Sequence, residues 1–265
     1  MFLRLTKRFQ SITNKISSYT AIAGILIIWQ ILSTVEVVPK YMLPSPIDVA
    51  RAFILEFPLL MYHSKVTLLE AFLGLSIGVL LGFIVAVLMD RFQFVYKAIY
   101  PVLVITQTIP TVAIAPLLVL WLGYGMAPKV TLIVIVTFFP ITIGLLDGFM
   151  SADPDTIKLL RSMNASKGQI FRHIKLPSSM SHFFAGLRIS ASYSVVGAVI
   201  AEWLGGFSGL GVYMIRVKKS YSFDKMFAVI LLISIISLLL MSGVTALQKI
   251  SMPWKKYENS LEKKA

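Results

Sequence analysis

The chain has no cysteine, three histidines and only 12 acidic residues among 265. Without cysteine there is neither a disulfide framework nor a thiolate metal site. His63, His173 and His182 are scattered at spacings that suit no zinc or hydrolytic centre, and they are expected in loops. Charge of any kind is scarce: Asp, Glu, Lys and Arg make up 14%, against about 25% in an ordinary soluble domain. What charge there is leans one way, with 25 Lys and Arg giving a net +13. A nucleic-acid binder would carry such a surplus on a hydrophilic surface, and this chain has too little polar surface to make one. Apolar residues, by contrast, reach 57% and the mean hydropathy is +0.82. The class left standing is an integral membrane protein whose basic residues flank its spans.

An apolar helix of about 20 residues crosses the hydrocarbon core with its backbone groups satisfied internally. Six stretches qualify: 19–38, 67–89, 100–122, 130–146, 183–204 and 227–248. The expected fold class is therefore all-α and polytopic, with about six transmembrane helices. Residues 1–18 carry Arg4, Lys7, Arg8 and Lys15 and no small-residue cleavage site follows, so they read as a retained segment rather than a signal peptide. Sorting Lys and Arg onto alternate sides puts sixteen with the termini, the loop of Arg91 and Lys97 and the segment 153–177, against eight opposite. Arg188, inside the fifth stretch, belongs to neither group. The positive-inside rule then makes both termini cytoplasmic. The organisation expected is a cytoplasmic segment 1–18, a first transmembrane helix with an extracytoplasmic loop and short helix over 19–66, a membrane domain over 67–248, and a cytoplasmic tail 249–265. Arg216, Lys218, Lys219 and Lys225 run against this count.

Gly74, Gly78 and Gly82 recur at spacing four and present a flat strip for close approach of another helix. Pro110 and Pro116 interrupt the third stretch and Pro140 the fourth, each removing a backbone donor and kinking its helix. Such kinks suit either a pathway or packing alone.

The segment 153–177 is polar and carries its own punctuation. Asp153 is an N-cap, Pro154 fits the first helical position and Asp155 the first turn. Leu159, Leu160 and Met163 share a face until Asn164, which tolerates the left-handed conformation that ends a helix. Ser166 and Gln169 then form an S-x-x-Q capping box that opens a second short helix. Its face is Ile170, Phe171 and Ile174, and Leu176-Pro177 is expected to stop it. A capped helix–turn–helix with a basic outer side suits docking to a cytoplasmic partner or resting on anionic lipid.

Lys158-Leu159-Leu160-x3-Asn164-x9-Ile174-x-Leu176-Pro177 resembles the motif E-A-A-x3-G-x9-I-x-L-P of permease subunits in ATP-binding-cassette importers. Spacing and the I-x-L-P end are kept, while Lys158, Leu159, Leu160 and Asn164 depart from the pattern. Leu43-Pro44-Ser45-Pro46 with Val49, the run from Ile109 to Leu117, Leu120-Trp121-Leu122-Gly123, Gly186-Leu187-Arg188, Ala201-Glu202 and Gly209-Leu210-Gly211 resemble the branch serving nitrate, sulfonate, taurine and thiamine-precursor uptake. The likeness covers about residues 39–254. It implies a transmembrane type-1 permease that works as a homodimer in the plasma membrane, with two cytoplasmic cassette ATPase subunits and an extracytoplasmic solute-binding protein. It further implies that 153–177 is the coupling segment, with Lys158, Leu159, Leu160, Asn164, Ala165, Ser166, Gly168, Ile174, Leu176 and Pro177 at the ATPase. In agreement, the sequence has no G-x-x-x-x-G-K-[ST] loop, so ATP and Mg belong to the partner and this chain carries no cofactor or metal and is no enzyme.

Ionisable residues within spans are expensive and often functional. Glu70, Arg188 and Glu202 are such residues, and Gln107, Ser190, Tyr193 and Ser194 add polarity mid-span. Arg188, Glu202 and these four residues either face solute as pathway or gate groups or hold helices together. Arg216, Lys218, Lys219 and Lys225 are candidates for contact with the binding protein. A self-contained secondary transporter would show internal repeats, which are not visible, and a membrane enzyme would show clustered His, Asp or Glu. Glu70, Glu202-Trp203, Gly211-Val212-Tyr213-Met214 and Phe223-Asp224-Lys225 look most like the hydroxymethylpyrimidine (thiamine-precursor) subgroup. An aliphatic sulfonate, taurine or nitrate is the alternative solute.

Overall fold

A computed structural model describes residues 20–39 and 41–254. The expectations for 1–18 and for most of the tail lie outside these residues. The described chain is helical: α1 (Thr20–Thr34), α2 (Pro46–Leu55), α3 (Phe57–Arg91), α4 (Gln93–Thr106), α5 (Thr111–Leu122), α6 (Met126–Met150), α7 (Pro154–Ser162), α8 (Lys167–Ile170), a π-helical turn Phe171–Lys175, α9 (Leu176–Gly205), α10 (Leu210–Lys219) and α11 (Phe223–Ser251). It divides into two compact units, Met1–Met61 with Met214–Leu231, and Tyr62–Tyr213 with Leu232–Ala265.

In the first unit, Ser45 caps α2 reciprocally with Asp48, and Pro46 enters the first turn. Val49 and Ala52 of α2 pack with Ala228, against Trp29 and Phe227. The Trp29 indole donates to the Pro44 carbonyl at 3.0 Å, and Ser33 Oγ to that of Leu43 at 2.9 Å.

The second unit is built on close backbone approach. Along α3, a Cβ added at Gly74 would lie 2.4 Å from Ile133, one at Gly78 2.3 Å from Thr137, and one at Gly82 2.9 Å from Ile141. Glu70 meets Lys129 one turn earlier. The partner number rises in step with the α3 number, so α3 and α6 run parallel. On α6's other side the register is antiparallel: Gly148 faces Ser179, Gly144 His182, and Gly186 the Pro140 carbonyl. Glycine removes the side chain that would hold these backbones apart, and dispersion between the surfaces replaces the hydrophobic drive that lipid does not supply.

Among the described residues four helices, α3, α6, the continuous Lys167–Gly205 stretch and α11, are long and apolar enough to cross a membrane; α4 and α5 form a pair bent by 103°. Parallel α3 and α6 require the chain between them to return across the membrane. Leu103 of α4 packs with Met89 and Leu146 at one end, while Ala115 and Leu118 of α5 pack with Leu132 and Ala201 at the other. The bent pair is thus one broken crossing, making five among the described residues besides α1.

The sequence expectation needs three corrections here. Among the described residues, which begin at 20, the first stretch is helical over Thr20–Thr34 and has left the helix before 38. Glu36 takes φ 56°, and Pro39 disfavours helix at the residue before it. The third stretch, 100–122, is two helices and not one, because Pro110 forces Ile109 out of the helical region. The remaining spans are longer than their apolar windows, since helix geometry continues past the first polar residue as long as hydrogen bonds are available; α3, for example, starts at Phe57.

Candidate functional site

In α7, Asp153 accepts from the amides of Asp155 and Thr156 and from the Thr156 hydroxyl. The Thr156 hydroxyl, then the two amides, hold the exposed Asp153 carboxyl below the usual aspartate range. Asn164 has φ 62°. Its amide donates to the Arg161 carbonyl and that of Ala165 to the Leu160 carbonyl, both at 2.9 Å, the paired bonds of a Schellman ending. Ser166 and Gln169 form the reciprocal box that opens α8. Lys158, Leu159, Asn164, Ser166 and Gly168 are exposed, Leu160 and Ala165 half-buried. Ile174 and Leu176 are half-buried farther on.

Leu176-Pro177 does not stop the second helix. Pro177 falls in the first turn of α9, and the stretch is helical from Lys167 to Gly205. The π-helical turn Phe171–Lys175 explains this. Its wider loop shifts the carbonyl register just before proline, where an α-helical turn would clash and lack a donor. Lys175 Nζ, on that turn, reaches the Asp90 carboxylate at 2.5 Å and ties the segment to the end of α3.

A second feature lies at the α4–α5 break. A cavity of about 180 Å³ is bounded by Thr106, Gln107, Ile109, Thr111, Tyr193 and Gly197 with Ile114, Ile135, Val136, Val196 and Ile200. No residue of this lining is charged. Gln107, an exposed C-cap, and Tyr193, half-exposed on α9, are the two sequence candidates that meet here. Thr106 Oγ1 donates to the Leu103 carbonyl at 2.7 Å and Thr108 Oγ1 to that of Ile105 at 2.8 Å. Ser190 and Ser194 are fully buried elsewhere: Ser190 Oγ donates to the Thr137 carbonyl on α6 at 2.8 Å, and Ser194 Oγ to Ala191 in its own helix. Arg188 is half-buried on α9 and does not line the cavity.

Glu202 sits in a buried polar network. Its Oε1 accepts from Thr67 Oγ1 at 2.7 Å and its Oε2 from the Gly211 amide at 2.6 Å. Thr67 Oγ1 also accepts from the Leu210 amide, and His63 Nδ1 from that of Gly209. The carboxylate therefore fastens the α9–α10 turn to α3, and a Cβ at Gly209, φ 125°, would fall 2.2 Å from it. Beside it Glu70 Oε1 pairs with Lys129 Nζ at 2.6 Å, both side chains less than 8% exposed. None of the three histidines is in a loop, His173 lying in the π-helical turn Phe171–Lys175. His63 is buried in α3 with its ring stacked on Tyr213 at 5.2 Å, and His182 lies in α9. Sequence reading missed His63, Thr67 and Lys129. The signal was available for the first two: positions 63, 67 and 70 continue the helical stripe of Gly74, Gly78 and Gly82.

Arg216, Lys218 and Lys219 are exposed together in the last turn of α10, where the helix dipole favours cations. Lys225 stands apart, paired with Glu56.

Residues 78–256 match the family described as binding-protein-dependent transport system inner membrane component. A probable ABC transporter permease protein of Haemophilus influenzae is 40% identical over 220 residues, 83% of this chain and 90% of that protein. The formylaminopyrimidine transport permease protein ThiX of Halalkalibacterium halodurans is 37% identical over 233 residues, covering 88% and 93%. The putative aliphatic sulfonates transport permease protein SsuC of Bacillus subtilis is 27% identical over 235 residues, covering 88% and 85%. Among solved structures, a chain of the MetNI methionine ABC transporter shares the fold at TM-score 0.59 and 18% identity, over 72% of this chain and 93% of that one. The chain belongs to the family of binding-protein-dependent transport system inner membrane components. It is an ABC importer permease subunit, a multi-pass plasma-membrane protein and not an enzyme, in a family whose ATPase is a separate subunit. The family implies both an ATPase and a solute-binding protein as partners.

Proposed function

We propose that this permease carries a thiamine-precursor pyrimidine across the membrane at the α4–α5 break. The observation that carries the reading is the uncharged lining of the cavity that gathers Gln107 and Tyr193. A sulfonate or nitrate would enter that space without a counter-charge, at a cost that a neutral ring avoids. A pyrimidine offers a flat face to the Tyr193 ring and donor and acceptor edges to the Gln107 amide. The likeness to the formylaminopyrimidine permease supports the same choice.

In this reading α1 is a sixth crossing, two copies form the pathway, and 153–177 enters a groove of each of two ATPase subunits on the cytoplasmic side, where both termini also lie. Lys158, Leu159, Leu160, Asn164, Ala165, Ser166 and Gly168 make the contact, while Ile174, Leu176 and Pro177 relay its movement into α9. Arg188, Ser190, Ser194 and Glu202 hold the helices around the pathway, and Arg216, Lys218, Lys219 and Lys225 meet the solute-binding protein. Closure of the ATPase pair moves the permease only if the two states bind it with different affinity.

The test is ATP-driven uptake in proteoliposomes holding permease, ATPase and binding protein. Labelled hydroxymethylpyrimidine or formylaminopyrimidine is expected to accumulate and taurine or an alkanesulfonate is not, and Gln107→Ala should cut pyrimidine uptake at least tenfold. Uptake of the sulfonate with none of the pyrimidine would reverse the assignment.

A further inference from the structure

At the end of α3 opposite His63, a cleft of about 530 Å³ is lined by Val87, Asp90 and Arg91 of α3, Arg161 of α7, Lys167, Gly168 and Ile170 of α8, and Phe171 and Lys175 of the π-helical turn. Four cations face it and one acid. That acid, Asp90, is taken by Lys175. Arg91, Arg161 and Lys167 are exposed and form no ion pair with any described residue. The walls are fixed: the Lys175–Asp90 bridge joins α3 to the π-helical turn, and the Phe149 ring packs on Phe171 at 5.2 Å. The floor is apolar, with Ile170 buried and Val87 and Phe171 half-buried.

We infer that this cleft binds the headgroup of an anionic phospholipid. Arg91 ends α3 two residues after its uncharged run 71–89, so it stands where the hydrocarbon gives way to the phosphate layer. Basic pockets between helices at that depth attract phosphodiester headgroups. Arg91 and Arg161 present planar forks that match phosphate oxygens, and Lys167 adds a point charge. The apolar floor accommodates the first carbons of the acyl chains, which a soluble phosphate would leave uncovered. The occupant bridges α3 to the α7–α8 segment and thereby steadies the segment from the membrane side.

The test uses the full chain in nanodiscs of phosphatidylcholine with about one-third phosphatidylglycerol, extracted into detergent, with retained lipid counted by native mass spectrometry. The triple variant Arg91→Gln, Arg161→Gln, Lys167→Gln should retain at least fivefold less phosphatidylglycerol than the parent. The charge-keeping variant Arg91→Lys, Arg161→Lys, Lys167→Arg should retain most of it, as should Lys97→Gln, Lys249→Gln, which removes charge elsewhere. Added inorganic phosphate at 10 mM, roughly a tenth of the ionic strength that gives a 10 Å Debye length, should displace none. Equal retention by the triple and parent proteins, or an equal loss in the control, overturns the inference. Displacement by phosphate alone assigns the cleft to a free anion and overturns it too. Unchanged lipid with lost capture of the ATPase would give the cleft to an acidic protein surface instead.

Discussion

Lys129 and Glu70 form a buried ion pair. Taking one member away leaves the other charge without compensation, which costs about 3–5 kcal/mol, whereas replacing both by apolar residues of similar size is nearly neutral. Lys129→Ala should therefore lower the thermal unfolding midpoint in detergent markedly, and Glu70→Leu with Lys129→Met should restore most of it. Asn164 makes a different kind of prediction. At φ 62° glycine is free of strain and a β-branched residue is not. Asn164→Gly should keep ATPase capture, while Asn164→Val, strained by about 1–2 kcal/mol, should weaken it. For Asp153 the sign follows from its lowered pKa. The cap is present above the ordinary aspartate range and is lost as pH falls below it, so amide exchange at Asp155 and Thr156 should accelerate only in that acid window.

At the scale of elements, glycine divides into two populations. Gly186 has a backbone carbonyl 2.4 Å from where its Cβ would stand, and Gly148 the Ser179 Cα at 2.5 Å; Gly243 has nothing within 4 Å. Gly186→Ala and Gly148→Ala should force α6 and α9 apart and lower the unfolding midpoint. Gly243→Ala should raise it, by a gain of about 0.5–1 kcal/mol in helix propensity. Differential scanning fluorimetry in one detergent compares the three. The same contrast explains what could be read from sequence. Caps and turns are local chemistry, so Asp153, Asn164 and Ser166-Gln169 announce α7 and α8 without any tertiary information. The strip at 74, 78 and 82 announces that some helix comes close, while which helix, and that it runs parallel, is a long-range fact. The passage of the helix through Pro177 was hidden because it depends on a π-helical turn that has no sequence signature of its own. Lys129 was hidden for the opposite reason: only folding brings it to Glu70, 59 residues away in sequence.

At the scale of the whole molecule, the described residues hold five crossings besides α1, one of them broken at Pro110, and the α4–α5 break lies against α6 and α9, where Gln107 and Tyr193 line one cavity. Mid-membrane irregular backbone is tolerated where it lines a cavity or is buried in protein, and a solute path needs such a place. The central claim is that access to this break alternates with the nucleotide state of the ATPase. The chain's lack of cysteine makes the test direct. Gln107→Cys, in proteoliposomes with ATPase and binding protein, is labelled with a membrane-impermeant maleimide from either side. Labelling should be cytoplasmic without nucleotide and should move to the opposite side with ATP and vanadate. Labelling that ignores nucleotide, or that never reaches Cys at this position from either side, would contradict the account.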